Sequence, residues 1–588
     1  MRKQYWLDII LISGIVLLFF LHVLFTDKTF IYRDFYRYFY PTRYFAATFI
    51  KGNILPLWNP YILSGMPFFA SLQTAILYPP SILVYLLPFD LGFKLFILIH
   101  YILAGCFMYI LARDLLIRRQ GAIVAAIVYT FSGYLLSLIE LLTSLTSATW
   151  IPLVFLFYNR AINLGMRDKG RGRSFFYIIL TGVALGLQFL GGEPTVLYAT
   201  LIGLILYTLT RSIRNKLLTP HFSLLAYLPL AGIIGLSLVL FQVLPFLEMV
   251  SYSTRAFGID YEISSQWSLM PHELSEFIIP FFCGDMLGHP SIRYGQQWLK
   301  SIYMGILPCF LILFYSFFSI IKERDKLIWV GLFLVFLLLA LGKYTPLYKS
   351  LYEILPGLNM ILYPVKFFCF CTFAGAVLSG FGFSLLIKNI KEKKNFYYLL
   401  VIFNILILSF FIFAYLFSYP FLSKFIQGIP YDKVDKILKW YSDILLNSFM
   451  VGIFLFFVNI IIFFFRKNFI NLKILSPLLI IIVLSDLFYF GYRLNPVIEE
   501  DFYKFKPETL KIIKKDNSLY RILSATEDIF KYTKGRDLYT FSKGVQFALL
   551  PNTMLLYDNL YSLFGYESLH LRNYAEVLNM IKLDRLSS

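Results

Sequence analysis

Few residues in this chain are of a type and in a setting that could do chemistry, and the first is Asp34. It stands in Tyr32-Arg33-Asp34-Phe35, shortly after the first apolar run. A carboxylate there could act as a general base towards a hydroxyl acceptor. It would also suit the start of a helix lying at an interface, where an acid meets the positive end of the dipole. Glu193, in Gly191-Gly192-Glu193-Pro194, is the second. The two glycines let the chain turn and Pro194 can open a helix, but the turn does not require the acid. An acid in a first helical turn is also electrostatically favourable without any further role.

Two cations come next. Arg255 sits in Thr254-Arg255-Ala256, and Lys366 closes Tyr363-Pro364-Val365-Lys366. Lys366 opens an apolar run from the side where basic residues are otherwise scarce, so an anion such as a lipid phosphate would account for it. Snorkelling to headgroups is the simpler alternative. His272, Glu273, Asp285 and His289 share one connection and could ligate a divalent cation, although their spacing matches no recognised site. Asp486 falls within the last apolar run, where an acid is a functional candidate unless hydrogen bonds between helices hold it. The five cysteines have neither disulfide nor zinc spacing. No phosphate-binding glycine-rich loop and no nucleophile elbow occurs, which argues against an ATPase or a serine hydrolase.

The elements that must position these residues are membrane spans. Hydrophobic residues make up 59% of the 588, and mean hydropathy is +0.71. The apolar runs reach the roughly 20 residues that a helix needs to cross a bilayer. Backbone polar groups in lipid must be satisfied internally, so the runs are expected to be helical. The period-2 pattern of an outer-membrane barrel is absent. Thirteen spans fit: Tyr5–Phe25, Phe93–Ala112, Gly121–Ile139, Thr143–Ile162, Phe175–Leu190, Thr195–Thr210, Leu224–Leu244, Tyr303–Ile321, Leu327–Leu341, Phe367–Ile387, Phe396–Phe417, Leu445–Phe465 and Ile474–Phe490.

Charge orients them. The net +19 is gathered in seven alternate stretches, which hold about 23 Lys and Arg against about five acids, while the rest of the chain nearly cancels. Such a distribution is topogenic and argues against nucleic acid as a partner. It places the N-terminus in the cytoplasm and the C-terminus outside, with the multi-span domain covering residues 1–490. Its long outer connections are residues 26–92, 245–302 and 342–366. In the first, Phe35–Ile50 reads as an interfacial helix, and Ala75–Leu87, broken by Pro79-Pro80, as a segment dipping into the interface. Residues 491–588 form a small α/β extracytoplasmic segment, with helices over Lys506–Lys515 and Leu569–Leu583 and a strand over Leu519–Ser524.

The first outer connection also carries a signature. Asp34, Tyr40-Pro41, Pro56-Leu57-Trp58-Asn59-Pro60-Tyr61, Ser64-Gly65-Met66-Pro67, Gln73 and Tyr78-Pro79 resemble the bacterial YfhO-type membrane proteins. Further matches are Gly192-Glu193-Pro194, Ser253-Thr254-Arg255, Glu273 through Pro280 and Tyr303-Met304-Gly305. Tyr363-Pro364-Val365-Lys366, Tyr520-Arg521 and Gly565-Tyr566-Glu567-Ser568 complete the set. That family is similar to the GT-C glycosyltransferases, multi-span enzymes that take sugars from polyprenyl-phosphate carriers on the outer face. The resemblance implies that Asp34 matches the acid of the first outer loop. Glu193 stands where a His is common and Tyr363 where an Arg is frequent. Relatives continue beyond the point matching Ser588, so the resemblance implies a shortened member.

The resulting expectation is an all-α polytopic, GT-C-like glycosyltransferase of the cell membrane. It would use a polyprenyl-phosphate-linked sugar as donor and an extracytoplasmic glycan, lipid or protein as acceptor. Asp34 would take the acceptor proton, Glu193 would orient hydroxyls, and Arg255 and Lys366 would hold the donor phosphate, with no resident metal assigned. The competing expectation is a lipid-linked sugar flippase or a non-enzymatic envelope-assembly protein, which predicts polar residues spread through the middle of the spans.

Overall fold

The computed structural model describes residues 2–165, 171–214, 226–284, 296, 298–322, 327–390, 394–416, 431–506, 508–516, 518, 520–522, 560–563, 565 and 567–587. Asp285, His289 and half of the expected strand Leu519–Ser524 lie outside them. The protein is a helical membrane protein. The described part of each of the thirteen expected runs is mostly helical, but only seven described helices are long and apolar enough to cross a membrane alone. A bent pair would make an eighth.

The first helices are α1 (Arg2–Phe19), α2 (Tyr40–Lys51), α3 (Phe89–Asp114) and α4 (Arg119–Phe131). A short strand, β1 (Lys28–Phe30), follows α1, and a single π-helical turn, Phe35–Phe39, runs into α2. The helix expected over Phe35–Ile50 is therefore present, with most of its side chains buried in the protein. The expected span Thr143–Ile162 is split into α5 (Leu142–Ala148) and α6 (Ile151–Gly165). Pro152 explains the break: without an N–H it fits the first turn of a new helix but not the interior of a continuous one.

Next come α7 (Arg171–Leu190) and α8 (Pro194–Arg214), joined through the Gly191-Gly192-Glu193 turn. The expected straight span Leu224–Leu244 is overturned. It consists of α9 (Tyr227–Leu238) and α10 (Leu240–Ser251), bent by 86° at Val239. α10 carries Pro245 inside it and continues to Ser251, so the connection placed from residue 245 begins later. The bend is held by contacts outside the helix pair. Gln242 Nε2 donates to the Phe69 carbonyl at 2.8 Å, and Met249 packs with Phe45, Ile62, Met66 and Phe68.

The remaining long helices are α11 (Ile306–Lys322), α12 (Leu327–Ala340), α13 (Phe368–Asn389), α14 (Lys394–Leu416), α15 (Tyr431–Arg466) and α16 (Leu472–Gly491). α13 is deeply enclosed, with 94% of its apolar window buried. Small residues let neighbours approach it closely. A Cβ on Gly380 would lie 2.8 Å from the Gly121 carbonyl of α4, and one on Gly382 would lie 2.7 Å from the Leu311 carbonyl of α11. Asp486 of α16 accepts from the Tyr303 hydroxyl and from the Ile306 amide, both at 2.8 Å. This intramembrane acid thus caps α11, where a carboxylate meets orphan amides and the positive end of the dipole.

One pairing was not expected from the sequence. β2 (Val497–Glu499), just after the last long helix, runs antiparallel to β1 with Lys28 opposite Glu499 and Phe30 opposite Val497. Lys94 Nζ meets Glu500 Oε1 at 2.5 Å, and the rings of Tyr40 and Tyr503 stack at 3.7 Å. The start of the tail is therefore fastened to the first long connection, on the same face of the molecule. The helix expected over Lys506–Lys515 occupies Glu508–Ile513, and that expected over Leu569–Leu583 occupies α17 (Arg572–Ser587).

Candidate active site

Three unusual backbone conformations converge on this face. Arg33 has φ +41°, Gly192 +99° and Tyr363 +72°. Left-handed backbone is costly for Arg and Tyr, and persists only where surroundings impose it. Gly192 has a steric reason as well, since a Cβ there would lie 2.7 Å from the Leu72 carbonyl.

The turn at Gly192 delivers Glu193 to Lys366. The Lys366 ammonium sits 3.1 Å from Oε1 and 3.2 Å from Oε2 of Glu193, with the side chains 13% and 9% exposed. Ser144 Oγ donates to Glu193 Oε2 at 3.2 Å, and the Thr195 amide reaches Oε1 at 3.4 Å. Burial alone would raise the Glu193 pKa, but Lys366 and Thr195 outweigh it and hold the carboxyl below its usual range. Lys366 Nζ also faces the rings of Trp298 and Tyr363, each 5.8 Å away. It is therefore an ion-paired cation in an aromatic setting and not a snorkelling side chain.

Asp34 precedes the π-helical turn and is half-buried. Its side chain does not cap that turn. Its charge is felt at Tyr363, at Tyr36 and at Glu140. The neighbouring Arg33 guanidinium lies 3.4 Å from Glu140 Oε1, and Lys300 Nζ lies 3.6 Å from Oε2. Arg33 also covers Trp267 at 5.9 Å, whose ring packs on Tyr363 at 4.3 Å. Tyr363 thus links the Asp34 side of the face to the Lys366 side.

Arg255 stands beside them. Its Nη2 donates to the Ser568 carbonyl at 2.9 Å. Burial pulls its pKa below the ordinary arginine value, against the opposing pull of Glu193, Tyr363 and Glu567. Glu567 is buried and accepts from the Tyr38 hydroxyl at 2.8 Å and the Ser568 amide at 2.9 Å. Residues 567–572 form a strap across the face. The Thr254 amide donates to the His570 carbonyl and the Arg572 amide to the Tyr252 carbonyl.

The four residues singled out from sequence, Asp34, Glu193, Arg255 and Lys366, therefore gather on one face. Of the cation grouping His272, Glu273, Asp285 and His289, the last two lie outside the described residues, and no set of three metal-ligating side chains occurs among the described ones. Glu273 is instead occupied locally, accepting from the Met270 amide at 2.7 Å and Gln296 Nε2 at 3.1 Å. Glu140 and Lys300 escaped the sequence reading. Glu140 had a usable signal, as the only charged residue between Arg119 and Arg160. Lys300 had none, being one basic residue among several near a span.

No family model and no curated protein matches the sequence. The resemblance to YfhO-type proteins accordingly rests on the motifs alone. Solved structures do match in shape. ArnT from Cupriavidus metallidurans bound to undecaprenyl phosphate aligns at 12% identity and TM-score 0.42, over 89% of this chain and 82% of that one. The Archaeoglobus fulgidus oligosaccharyltransferase in the apo form aligns at 13% identity and TM-score 0.39, over 90% and 60%. ArnT from Cupriavidus metallidurans in the apo state aligns at 12% identity and TM-score 0.52, over 99% of this chain and 89% of that one, so this protein has the GT-C-like fold of a multi-span helical membrane protein.

Proposed function

We propose that this protein is a membrane glycosyltransferase that moves a sugar from a polyprenyl-phosphate donor to an extracytoplasmic envelope glycopolymer, glycolipid or protein. One observation carries the reading. Asp34 presents a carboxylate that takes no hydrogen bond or ion pair among the described residues, on a face that also holds Arg255 and Lys366. The GT-C-like fold supports a lipid-linked sugar donor.

In this reading Asp34 accepts the acceptor's hydroxyl proton as that oxygen bonds to the anomeric carbon. The bond from that carbon to the phosphate oxygen breaks, and polyprenyl phosphate departs with the electron pair. Arg255 commits one nitrogen of its side chain to Ser568 and has others to offer the phosphate. Lys366 is shared with Glu193, so its ammonium is oriented before a phosphate arrives. Cations aimed at charge that develops during reaction contribute most when they are preorganised.

The test is direct. Protein reconstituted in lipid is supplied with radiolabelled polyprenyl-phosphate sugars and membrane glycan, and transfer is followed with the parent chain and with Asp34→Asn. Transfer by the parent and not by Asp34→Asn supports the reading. Transbilayer movement of the donor lipid without any transfer would replace it with the flippase alternative.

A further inference from the structure

A pocket lined by charged residues lies at the opposite ends of the helices from the candidate active site. It is an open cleft of about 400 Å³ between the start of α1, the end of α3, the start of α4 and α6. α3 is 26 residues long, so its two ends lie about 39 Å apart at 1.5 Å per residue. Tyr40, near the active-site face, bonds Asp90 at one end of α3, whereas Arg113 and Asp114 line the cavity at the other. No step proposed above uses this cavity.

Its charges do not balance. Arg113, Arg119 and Arg160 line it together with Asp8 and Asp114. Asp8 is saturated: Arg119 Nη2 reaches Oδ1 at 2.6 Å, Nε reaches Oδ2 at 2.9 Å, and the Tyr109 hydroxyl donates to Oδ2 at 2.5 Å. Asp114 is saturated too, by Arg160 Nε at 2.7 Å and Asn159 Nδ2 at 2.9 Å. Arg113 is left over. Its Nη1 donates to the Ile117 carbonyl at 2.9 Å, and no carboxylate pairs with it among the described residues. The cavity therefore carries one uncompensated positive charge. Arg119 and Arg160 are spent on their carboxylates only along one edge, and their side chains remain 41% and 35% exposed.

We infer that this cavity is a binding site for a phosphate-bearing anion. Guanidinium groups match phosphate oxygens in geometry as well as charge. A phosphodiester brings one negative charge, which neutralises the surplus of Arg113. The cavity lies at the ends of helices long and apolar enough to cross a membrane, and basic pockets between the ends of such helices take anionic lipids. A soluble phosphate would present the same chemistry, and the experiment separates the two.

The whole protein, purified in detergent, is titrated with phosphatidylglycerol, phosphatidylcholine or inorganic phosphate. Retained lipid is counted by native mass spectrometry, and the thermal unfolding midpoint is recorded alongside. The parent should retain phosphatidylglycerol in preference to phosphatidylcholine. Arg113→Gln should weaken that retention by about tenfold, the loss of a charge-assisted contact, and Arg113→Lys should recover part of it. Arg118→Gln removes an exposed charge that does not line the cavity, and should leave retention unchanged. Protection by inorganic phosphate that is lost in Arg113→Gln would support the site with a soluble occupant. Equal retention of the two lipids without phosphate protection, or equal loss in Arg113→Gln and Arg118→Gln, would overturn the inference. These readouts do not depend on sugar transfer, so their failure leaves the proposed function where it stands.

Discussion

Lys366 and Glu193, 173 positions apart, meet as a bidentate ion pair that joins the α7–α8 turn to the segment entering α13. Both are largely buried, so each is the other's only charged compensation at contact distance among the described residues. Removing one partner of such a pair strands the other and typically costs about 3–5 kcal/mol. Lys366→Met alone should cost stability of that order, read as a lower unfolding midpoint, and adding Glu193→Gln should restore part of the loss. The pair also predicts an acid limb. The Glu193 pKa is depressed in the folded state, so its contribution is present above the ordinary glutamate value and is lost as pH falls through the folded value. Glu193→Gln should flatten that limb in a pH series of unfolding midpoints, and an unchanged limb would assign it to other carboxylates.

Charge at the same pair separates stability from turnover. Lys366→Glu should abolish transfer while the protein still inserts in the membrane, and Lys366→Arg should keep partial activity because the charge survives in a different geometry. A Glu variant as active as the parent would leave Lys366 with a structural role only.

Topology has its own test. The β1–β2 pairing puts the tail and the first long connection on one face, and the basic stretches predict that this face is outside. A reporter active only outside the cytoplasm should work when fused after Arg493 and be silent after Arg173. Activity of the second fusion would break the thirteen-span topology.

The fold was legible where a single property decides it. Apolar length dictates helix in lipid, so the described part of each expected run is mostly helical. Where tertiary contacts decide, the sequence was silent. The 86° bend at Val239 depends on Gln242 reaching Phe69, far off in the chain, and Pro245 inside α10 gives a misleading stop signal. The three residues of β1 are too few for a pattern, and they become a strand only because β2 arrives from the far end of the protein. At the site, residue type and local motif picked out Asp34, Glu193, Arg255 and Lys366. Their mutual arrangement was not readable. Lys366 was expected to await a phosphate, yet its nearest anion is Glu193, and no local spacing links positions that meet only through folding.

The strap offers a pH-dependent signal of opposite sign to that of Glu193. Burial raises the Glu567 pKa, so its protonated form is favoured in the folded protein. Its stabilising contribution is therefore full below the ordinary glutamate value and is lost as pH rises through the folded value. Glu567→Gln stays neutral throughout. The midpoint of that variant minus that of the parent should grow as pH rises, and a difference that does not change with pH would show that the strap does not sense this proton.

Asp34 carries the sharpest prediction. Arg33 is turned towards Glu140 by its left-handed backbone, while the adjacent carboxylate is left without a hydrogen-bond partner among the described residues. An acid placed for structure alone would be expected to cap the turn that it precedes, and Asp34 does not. Asp34→Asn preserves size and removes the basic carboxylate, so packing and chemistry come apart. Loss of a general base typically costs about 10²–10⁴-fold in rate. Sugar transfer should fall by that factor with the unfolding midpoint and donor-lipid binding unchanged. Asp27 is the matched control, exposed in the same connection and outside the site, and Asp27→Asn should transfer at close to the parent rate. If purified Asp34→Asn kept the parent rate while the donor still bound, Asp34 would not be the base, and Glu140, the buried acid beside it, would be the next residue to test.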